Sequence, residues 1–153
     1  ETQRLTRRYT AEIMPVIGAD VDIPAPDMGT NERTMAWFMD TYSQRSGRLV
    51  AGIVTGKPLD LGGSKLRAEA TGRGVVYTTM FACEEIGLKL EGATVAIHGF
   101  GNVGAHAAQE FARRGAKVIA IADISGGYVN QRGFDVEAMV GSGDENWGLR
   151  IAN

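Results

Sequence analysis

The sequence is poor in the residues that build disulfides and metal sites. Its single cysteine, Cys83, cannot form an internal disulfide, and the chain has only two histidines. So little cysteine is typical of a reducing compartment, and the shortage of both residue types predicts no dedicated metal site. We therefore expect a cytoplasmic protein that uses no metal ion.

The sequence also lacks long apolar runs and blocks of charge of one sign. No run approaches the length of a transmembrane helix, and the first residues are charged, unlike those of a signal peptide. The 16 basic and 18 acidic side chains leave a net charge of −2 and are spread along the chain. This pattern predicts neither a nucleic-acid partner nor a membrane partner.

The strongest pattern in the chain runs from Glu91 to Asp123. The apolar run 94–98 predicts a buried strand, residues at helical spacing follow as far as Gly115, and 117–122 predicts a second strand that finishes at Asp123. Three glycines fill the slots of a GxGxxG turn after the first strand: Gly99, Gly101 and Gly104. Strand, turn, helix and strand together predict a βαβ unit.

Each part of this unit suits a dinucleotide. Gly99 allows a sharp turn, Gly101 lets the backbone approach a pyrophosphate, and Gly104 lets the helix pack against the strand. The N-terminus of the helix offers free N–H groups to the phosphates. Asp123 is placed to accept hydrogen bonds from the adenosine ribose. Two alternatives stay open, a packing turn without a ligand and the glycine loop of a methyltransferase.

Before this unit, the sequence PAPDMGT (24–30) predicts a rigid loop that holds Asp27 ahead of a helix. Asp27 has two interpretations: it favours the start of the helix, or the prolines fix its carboxylate for proton transfer. Elsewhere, alternation or apolar character predicts strands at 19–25 and 49–55, and periodicity predicts a long helix from 66 to 90. The TGKP turn at 55–58 does not match a phosphate-binding Walker loop.

Several segments, in this order and spacing, resemble the middle of glutamate dehydrogenase. They are LTRRYTAEI (5–13), DIPAPDMGTNERTMAWFMDTYS (22–43), GIVTGKPLDLGGS (52–64), EATGRG (69–74), HGFGNVG (98–104) and SGGYVN (125–130). The resemblance covers nearly the whole chain. It implies NAD(P)-dependent oxidative deamination of L-glutamate to 2-oxoglutarate and ammonia, together with the reverse reaction.

The resemblance also implies roles for individual residues. Asp27 would be catalytic and relay protons, and Thr71 would contact the nicotinamide carboxamide. The glycine turn and the acid after it would bind the cofactor through Gly99, Phe100, Gly101, Asn102, Val103, Gly104 and Asp123. Because a carboxylate repels a 2′-phosphate, Asp123 favours NAD over NADP, although Ser125 with a nearby cation would accommodate NADP.

The expected architecture is an internal fragment of an α/β protein. Residues 1–62 would end a substrate-binding and oligomerisation domain, and 63–153 would form the first half of a Rossmann-type dinucleotide-binding domain. The resemblance implies a homohexamer, and it places the catalytic lysine and the glutamate-pocket residues outside this segment, so the fragment alone should be inactive. A leucine, valine or phenylalanine dehydrogenase and a non-catalytic nucleotide-binding module remain alternatives.

Overall fold

The computed structural model describes residues 1–140, which fall into two compact units. The first unit comprises residues 1–67, and the second begins at Ala68. The predicted domain boundary, after residue 62, lies slightly earlier in the chain. Within residues 1–140, no helix is both long enough and apolar enough to cross a membrane.

The first unit is built on two helices that pack against each other, α1 (Thr2–Ile13) and α2 (Glu32–Ser46). Arg7 of α1 donates hydrogen bonds to the Asp40 carboxylate and, at 3.0 Å, to the Thr41 hydroxyl of α2. The rings of Tyr9 and Phe38 meet edge to face at 6.4 Å. Three 3₁₀ turns complete the unit, at Met14–Val16, Ala51–Ile53 and Leu59–Leu61.

Helix α2 is capped at both ends. The Asn31 side chain accepts a hydrogen bond from the backbone N–H of Thr34 at 3.1 Å, which caps the first turn. Gly47 ends the helix in the left-handed conformation. The buried face of the helix supplies half of the buried core of the unit, which consists of Met35, Phe38, Met39, Val50, Ile53 and Val54.

The prediction of two strands in this unit is wrong. Residues 19–25 lie in a turn and an extended loop. Val21 donates its N–H to the Gly18 carbonyl, and the single backbone bond from Thr55 to Pro24 does not extend into a strand ladder within the described chain. Ala51–Ile53 forms a 3₁₀ turn within the second predicted strand. Three apolar residues of 49–55 are buried in the helical core, Val50, Ile53 and Val54, and the last two are nearly inaccessible to solvent.

The second unit contains the predicted βαβ arrangement. Its elements are α3 (Arg67–Glu85), β1 (Thr94–His98), α4 (Asn102–Arg113), β2 (Lys117–Asp123), β3 (Gly126–Val129) and α5 (Val136–Val140). The strand order is β1-β2-β3, with β1 parallel to β2 and β3 antiparallel to β2. Asp135 caps α5, since its side chain accepts the N–H of Ala138 at 3.1 Å.

The core of this unit lies between the sheet and its helices. Its buried members come from α3, the glycine turn, α4, β2 with the residue before it, and α5. They are Val76, Phe100, Ala105, Ala107, Ala108, Phe111, Ala116, Val118, Ile121 and Val136. The small side chains of α4 allow it to lie close to the sheet. The mixed α/β fold with a Rossmann-type second half, predicted from the sequence, is therefore confirmed.

Candidate functional site

The three glycines of the turn between β1 and α4 differ in backbone conformation and in the space around them. Gly99 adopts a φ of +90°, which other residues rarely adopt. A Cβ on Gly104 would lie 1.8 Å from the carbonyl oxygen of Gly99. A Cβ on Gly101 would meet no atom within 4 Å. Two glycines therefore shape the turn, and the third leaves open space beside it.

This open space belongs to a cavity of about 420 Å³ at the carboxyl ends of β1 and β2. The N–H of Gly99 donates to the carbonyl of Ala122 at 2.8 Å, which joins the two strand ends. The cavity is lined by His98, Gly99, Phe100, Gly101, Asp123 and Ile124. Ligands of parallel α/β sheets bind at this edge, outside the carboxyl ends of the strands.

Helix α4 starts at the margin of the same cavity. Its N-cap residue, Gly101, lines the cavity and makes no side-chain capping bond. The first N–H groups of a helix lack partners within the helix, and the helix dipole places partial positive charge there. The arrangement therefore suits an anion such as a phosphate.

Asp123 ends β2 on the rim of this cavity, with its carboxylate held in place. Its Oδ1 accepts hydrogen bonds from the backbone N–H of Ser125 at 2.7 Å and from the Ser125 hydroxyl at 2.6 Å. Both bonds fix the carboxylate where β1 and β2 end together.

Helix α3 is attached directly to the glycine turn. The Asn102 side-chain amide donates to the carbonyl of Ala68 at 2.8 Å. Gly72 lies so close to α4 that a Cβ on it would be 2.7 Å from the Val103 carbonyl oxygen and 2.8 Å from the Ala107 nitrogen. Thr71, the residue predicted to contact the nicotinamide, immediately precedes Gly72 on α3 and is exposed.

A charged network ties the same two helices together further from the turn. The nearly buried carboxylate of Glu110 lies 2.8 Å from Nη2 of Arg114 and 3.9 Å from Nε of Arg73. Arg73 also donates to the Tyr77 hydroxyl at 2.8 Å, and this bond raises the pKa of the guanidinium. Arg73 therefore keeps its charge at any working pH and holds α3 to α4.

In the first unit, the loop around Asp27 is closed by a tight turn. The N–H of Thr30 donates to the Asp27 carbonyl at 2.9 Å, and the Thr30 hydroxyl accepts the N–H of Asp27 at 2.7 Å. Oδ1 of Asp27 accepts the N–H of Met28 at 2.7 Å. The Asp27 residue is exposed, so its carboxylate is both oriented and accessible.

Comparison with protein families matches both units. The model described as "Glu/Leu/Phe/Val dehydrogenase, dimerisation domain" matches residues 1–44. The model described as "Glutamate/Leucine/Phenylalanine/Valine dehydrogenase" matches residues 62–150, more than half of the chain. The chain belongs to this dehydrogenase family.

Curated members of the family named glutamate dehydrogenase are close in sequence. The chain is 52% identical over 141 residues to the glutamate dehydrogenase of Thermotoga maritima, covering 92% of this chain and 34% of that protein. It is 50% identical over 145 residues to the NAD-specific glutamate dehydrogenase A of Halobacterium salinarum, covering 95% and 33%. The chain thus spans about a third of the length of these relatives.

Solved structures agree with the sequence comparison. The hetero-hexameric glutamate dehydrogenase of Thermus thermophilus, in a leucine-bound form, superposes with a TM-score of 0.89 at 42% identity, covering 97% of this chain and 36% of that one. Glutamate dehydrogenase of Peptoniphilus asaccharolyticus gives a TM-score of 0.81 at 39% identity, covering 91% and 37%. The fold described above is therefore that of the family.

The predicted cofactor residues all lie in the second unit, but they differ in what they do there. Gly99, Gly101 and Asp123 line the same cavity. Phe100 is 4% exposed and belongs to the core, so its ring serves packing. Val103 is half exposed and lines a second, apolar cavity of about 590 Å³ beside β1. The binding roles of these residues, and the catalytic role of Asp27, stay predictions.

Sequence reasoning missed three contacts that shape the site. Thr30 closes the turn that carries Asp27, Ser125 holds Asp123, and the Asn102 side chain bonds to α3 rather than pointing into the cavity as a ligand. A Thr three residues after an Asp, and a Ser two residues after one, are local signals of such turns. Over residues 1–140, no three metal-ligating side chains converge.

Proposed function

We propose that this chain is the central segment of an NAD(P)-dependent glutamate dehydrogenase, which converts L-glutamate to 2-oxoglutarate and ammonia and catalyses the reverse reaction. The observation that carries the proposal is the glycine turn, where Gly101 leaves space beside the start of α4 at the sheet edge that binds nucleotides. Relatives that are 52% and 50% identical are named glutamate dehydrogenase, which supports glutamate as substrate.

The residues present fit a dinucleotide. The α4 N-terminus and Gly101 would hold the pyrophosphate, Asp123 would accept the ribose hydroxyls, and Thr71 would hold the carboxamide. The nicotinamide, when bound, accepts the hydride that leaves Cα of the amino acid. Asp123 favours NAD because its fixed carboxylate would repel a 2′-phosphate, and because the Ser125 hydroxyl is engaged with that carboxylate.

Asp27 is the proposed proton-transfer residue. Its Oδ1 is occupied by the N–H of Met28, which leaves Oδ2 to exchange protons with the substrate amine and with water. Because the turn to Thr30 fixes the backbone on both sides of the carboxylate, little motion is needed to align it. Asp27 would take a proton from the ammonium group before hydride transfer and return protons during hydrolysis of the imine.

The same proposal covers the organisation of the whole protein. Residues 1–62 would end the substrate-binding and oligomerisation domain, and 63–153 would begin the NAD(P)-binding domain. The assembled enzyme would be a cytoplasmic homohexamer. Since the segment carries neither the predicted catalytic lysine nor the glutamate pocket, it would not turn over by itself.

A substrate panel tests the choice of glutamate within the family. The full-length protein that carries this segment should reduce NAD with glutamate at a kcat/KM at least about 10³-fold above that with leucine, valine or phenylalanine, because a pocket built for a γ-carboxylate rejects apolar side chains strongly. Faster turnover of an apolar amino acid would make it a branched-chain or phenylalanine dehydrogenase. If cofactor binds but no amino acid is oxidised, the protein is a non-catalytic module.

A further inference from the structure

The TGKP turn at 55–58 lies directly against the loop that carries Asp27. The N–H of Thr55 donates to the carbonyl of Pro24 at 3.0 Å. Gly56 is buried beside Pro26, where a Cβ would lie 2.5 Å from Cγ and 2.6 Å from Cδ of the proline ring. Two points of contact therefore join the turn to the two prolines that precede Asp27.

The side of this contact that must yield is the proline. Gly56 has a φ of +65°, and the neighbouring segment is anchored by Ile53 and Val54, which are 0% and 2% exposed. The ammonium group of Lys57 donates to the Val54 carbonyl at 3.1 Å, which holds the turn from within. The TGKP turn is therefore held in place where the Asp27 loop packs against it.

A proline ring that is pushed by a new atom moves its own backbone with it. Its ring closes onto the backbone nitrogen and locks φ, so Pro26 cannot rotate away from a new atom as a flexible side chain would. Since ordinary contacts of a Cβ begin near 3.4 Å, a methyl group on Gly56 would push the ring by roughly 1 Å. Asp27 is the next residue and moves with it.

We propose that Gly56 is a positioning residue for Asp27. Because it has no side chain, Gly56 lets Pro26 pack against the turn, and this contact sets the position of the Asp27 carboxylate. This inference rests on the proposed function, because it assigns a consequence to the position of Asp27.

The test compares two alanine substitutions in the full-length enzyme. Gly56→Ala and Gly47→Ala both place a Cβ on a left-handed backbone, at φ values of +65° and +68°, but the Cβ at Gly47 meets nothing within 4 Å. Gly47→Ala is thus a matched control for backbone strain. Because a misplacement of about 1 Å costs roughly 10²-fold in rate, Gly56→Ala should slow single-turnover hydride transfer to that extent, with an unchanged Kd for NAD.

Rescue by a second substitution separates positioning from general damage. Pro26→Ala removes the Cγ and Cδ atoms that the new methyl group would strike. The third atom near the new Cβ, Nε of Arg67 at 2.8 Å, belongs to a flexible side chain that can swing aside. The double variant Gly56→Ala/Pro26→Ala should therefore lose less than about threefold relative to Pro26→Ala alone. Purely additive effects of the two substitutions would overturn the proposal.

Hydrogen exchange gives a measure that does not depend on activity. The Thr55 amide, bonded to Pro24, should exchange at least tenfold faster in Gly56→Ala than in Gly47→Ala. Unchanged exchange and unchanged hydride transfer in Gly56→Ala would contradict the inference. The variant Asp27→Asn serves as the separate test of the proposed function: if it stays active while Gly56→Ala accelerates exchange, the loop contact is real and the catalytic assignment fails.

Discussion

Replacement of Gly104 or of Gly101 by alanine adds the same methyl group at two positions of one turn. The space beside Gly104 is crowded, whereas the space beside Gly101 is open. At Gly104 the new Cβ would lie 1.8 Å from the Gly99 oxygen and 2.9 Å from the Gly99 carbonyl carbon. Carbon and oxygen normally approach to about 3.3 Å, so the turn and α4 would have to separate by roughly 1.5 Å. Overpacking of this kind costs about 1–3 kcal/mol, and the upper value is expected because backbone atoms are struck.

At Gly101 the backbone angles are ordinary for any residue, and the methyl group meets no protein atom, so the structure should be as stable as before. The same methyl group would occupy the space through which a pyrophosphate reaches the N–H groups of α4. Loss of one charge-assisted hydrogen bond of about 1.5–3 kcal/mol weakens binding by roughly 10- to 100-fold.

Two measurements on the full-length protein separate the two effects. Exchange of the Gly99 amide, which donates to Ala122, reports the local stability of the turn, and calorimetric titration reports the affinity for NAD. Gly104→Ala should lower both the local stability of the turn and the affinity for NAD, whereas Gly101→Ala should lower only the affinity for NAD. If Gly101→Ala binds NAD as tightly as the parent protein, the open space is not the pyrophosphate site.

Three further outcomes are expected. Gly72→Ala should destabilise the second unit by about 1–3 kcal/mol in urea denaturation, because its Cβ would strike the backbone of α4. A Cβ on Gly74 would meet nothing within 4 Å, so Gly74→Ala should stabilise the unit by up to about 1 kcal/mol through helix propensity. Asn102→Ala should cost about 1 kcal/mol by removing the bond to Ala68, seen as faster exchange in the first turns of α3. Asp123→Ser should lower the ratio of NAD to NADP affinity at least tenfold; an unchanged ratio would remove Asp123 from the ribose site.

The elements predicted best from the sequence are those whose partners are close in the chain. The run 94–98 and the run 117–123 lie on either side of one helix, and each gives the other a hydrogen-bonding partner. The predicted strand at 19–25 has the required alternation, yet no partner strand is within reach among the described residues. Alternation predicts an extended chain, and only pairing makes it a strand.

The contacts of the candidate site also divide into those between residues close in the chain and those between distant segments. The tasks of Gly99, Gly101 and Gly104 follow from a local pattern, because each depends on residues of the same turn. The contact of Gly56 with Pro26 and the bond from Asn102 to Ala68 join segments about thirty residues apart, and no periodicity signals them. The contact that holds the Asp27 loop against the TGKP turn is therefore visible only in three dimensions.

The most direct test of the account is replacement of Asp27 by asparagine in the full-length protein, which keeps the shape of the side chain and removes its capacity to carry a proton. Removal of a general acid–base group costs about 10²–10⁴-fold in rate. Glutamate-dependent hydride transfer should fall by that factor, while the Kd for NAD stays within twofold of the parent value. Hydride transfer at the parental rate would contradict the assignment of this chain's chemistry to Asp27.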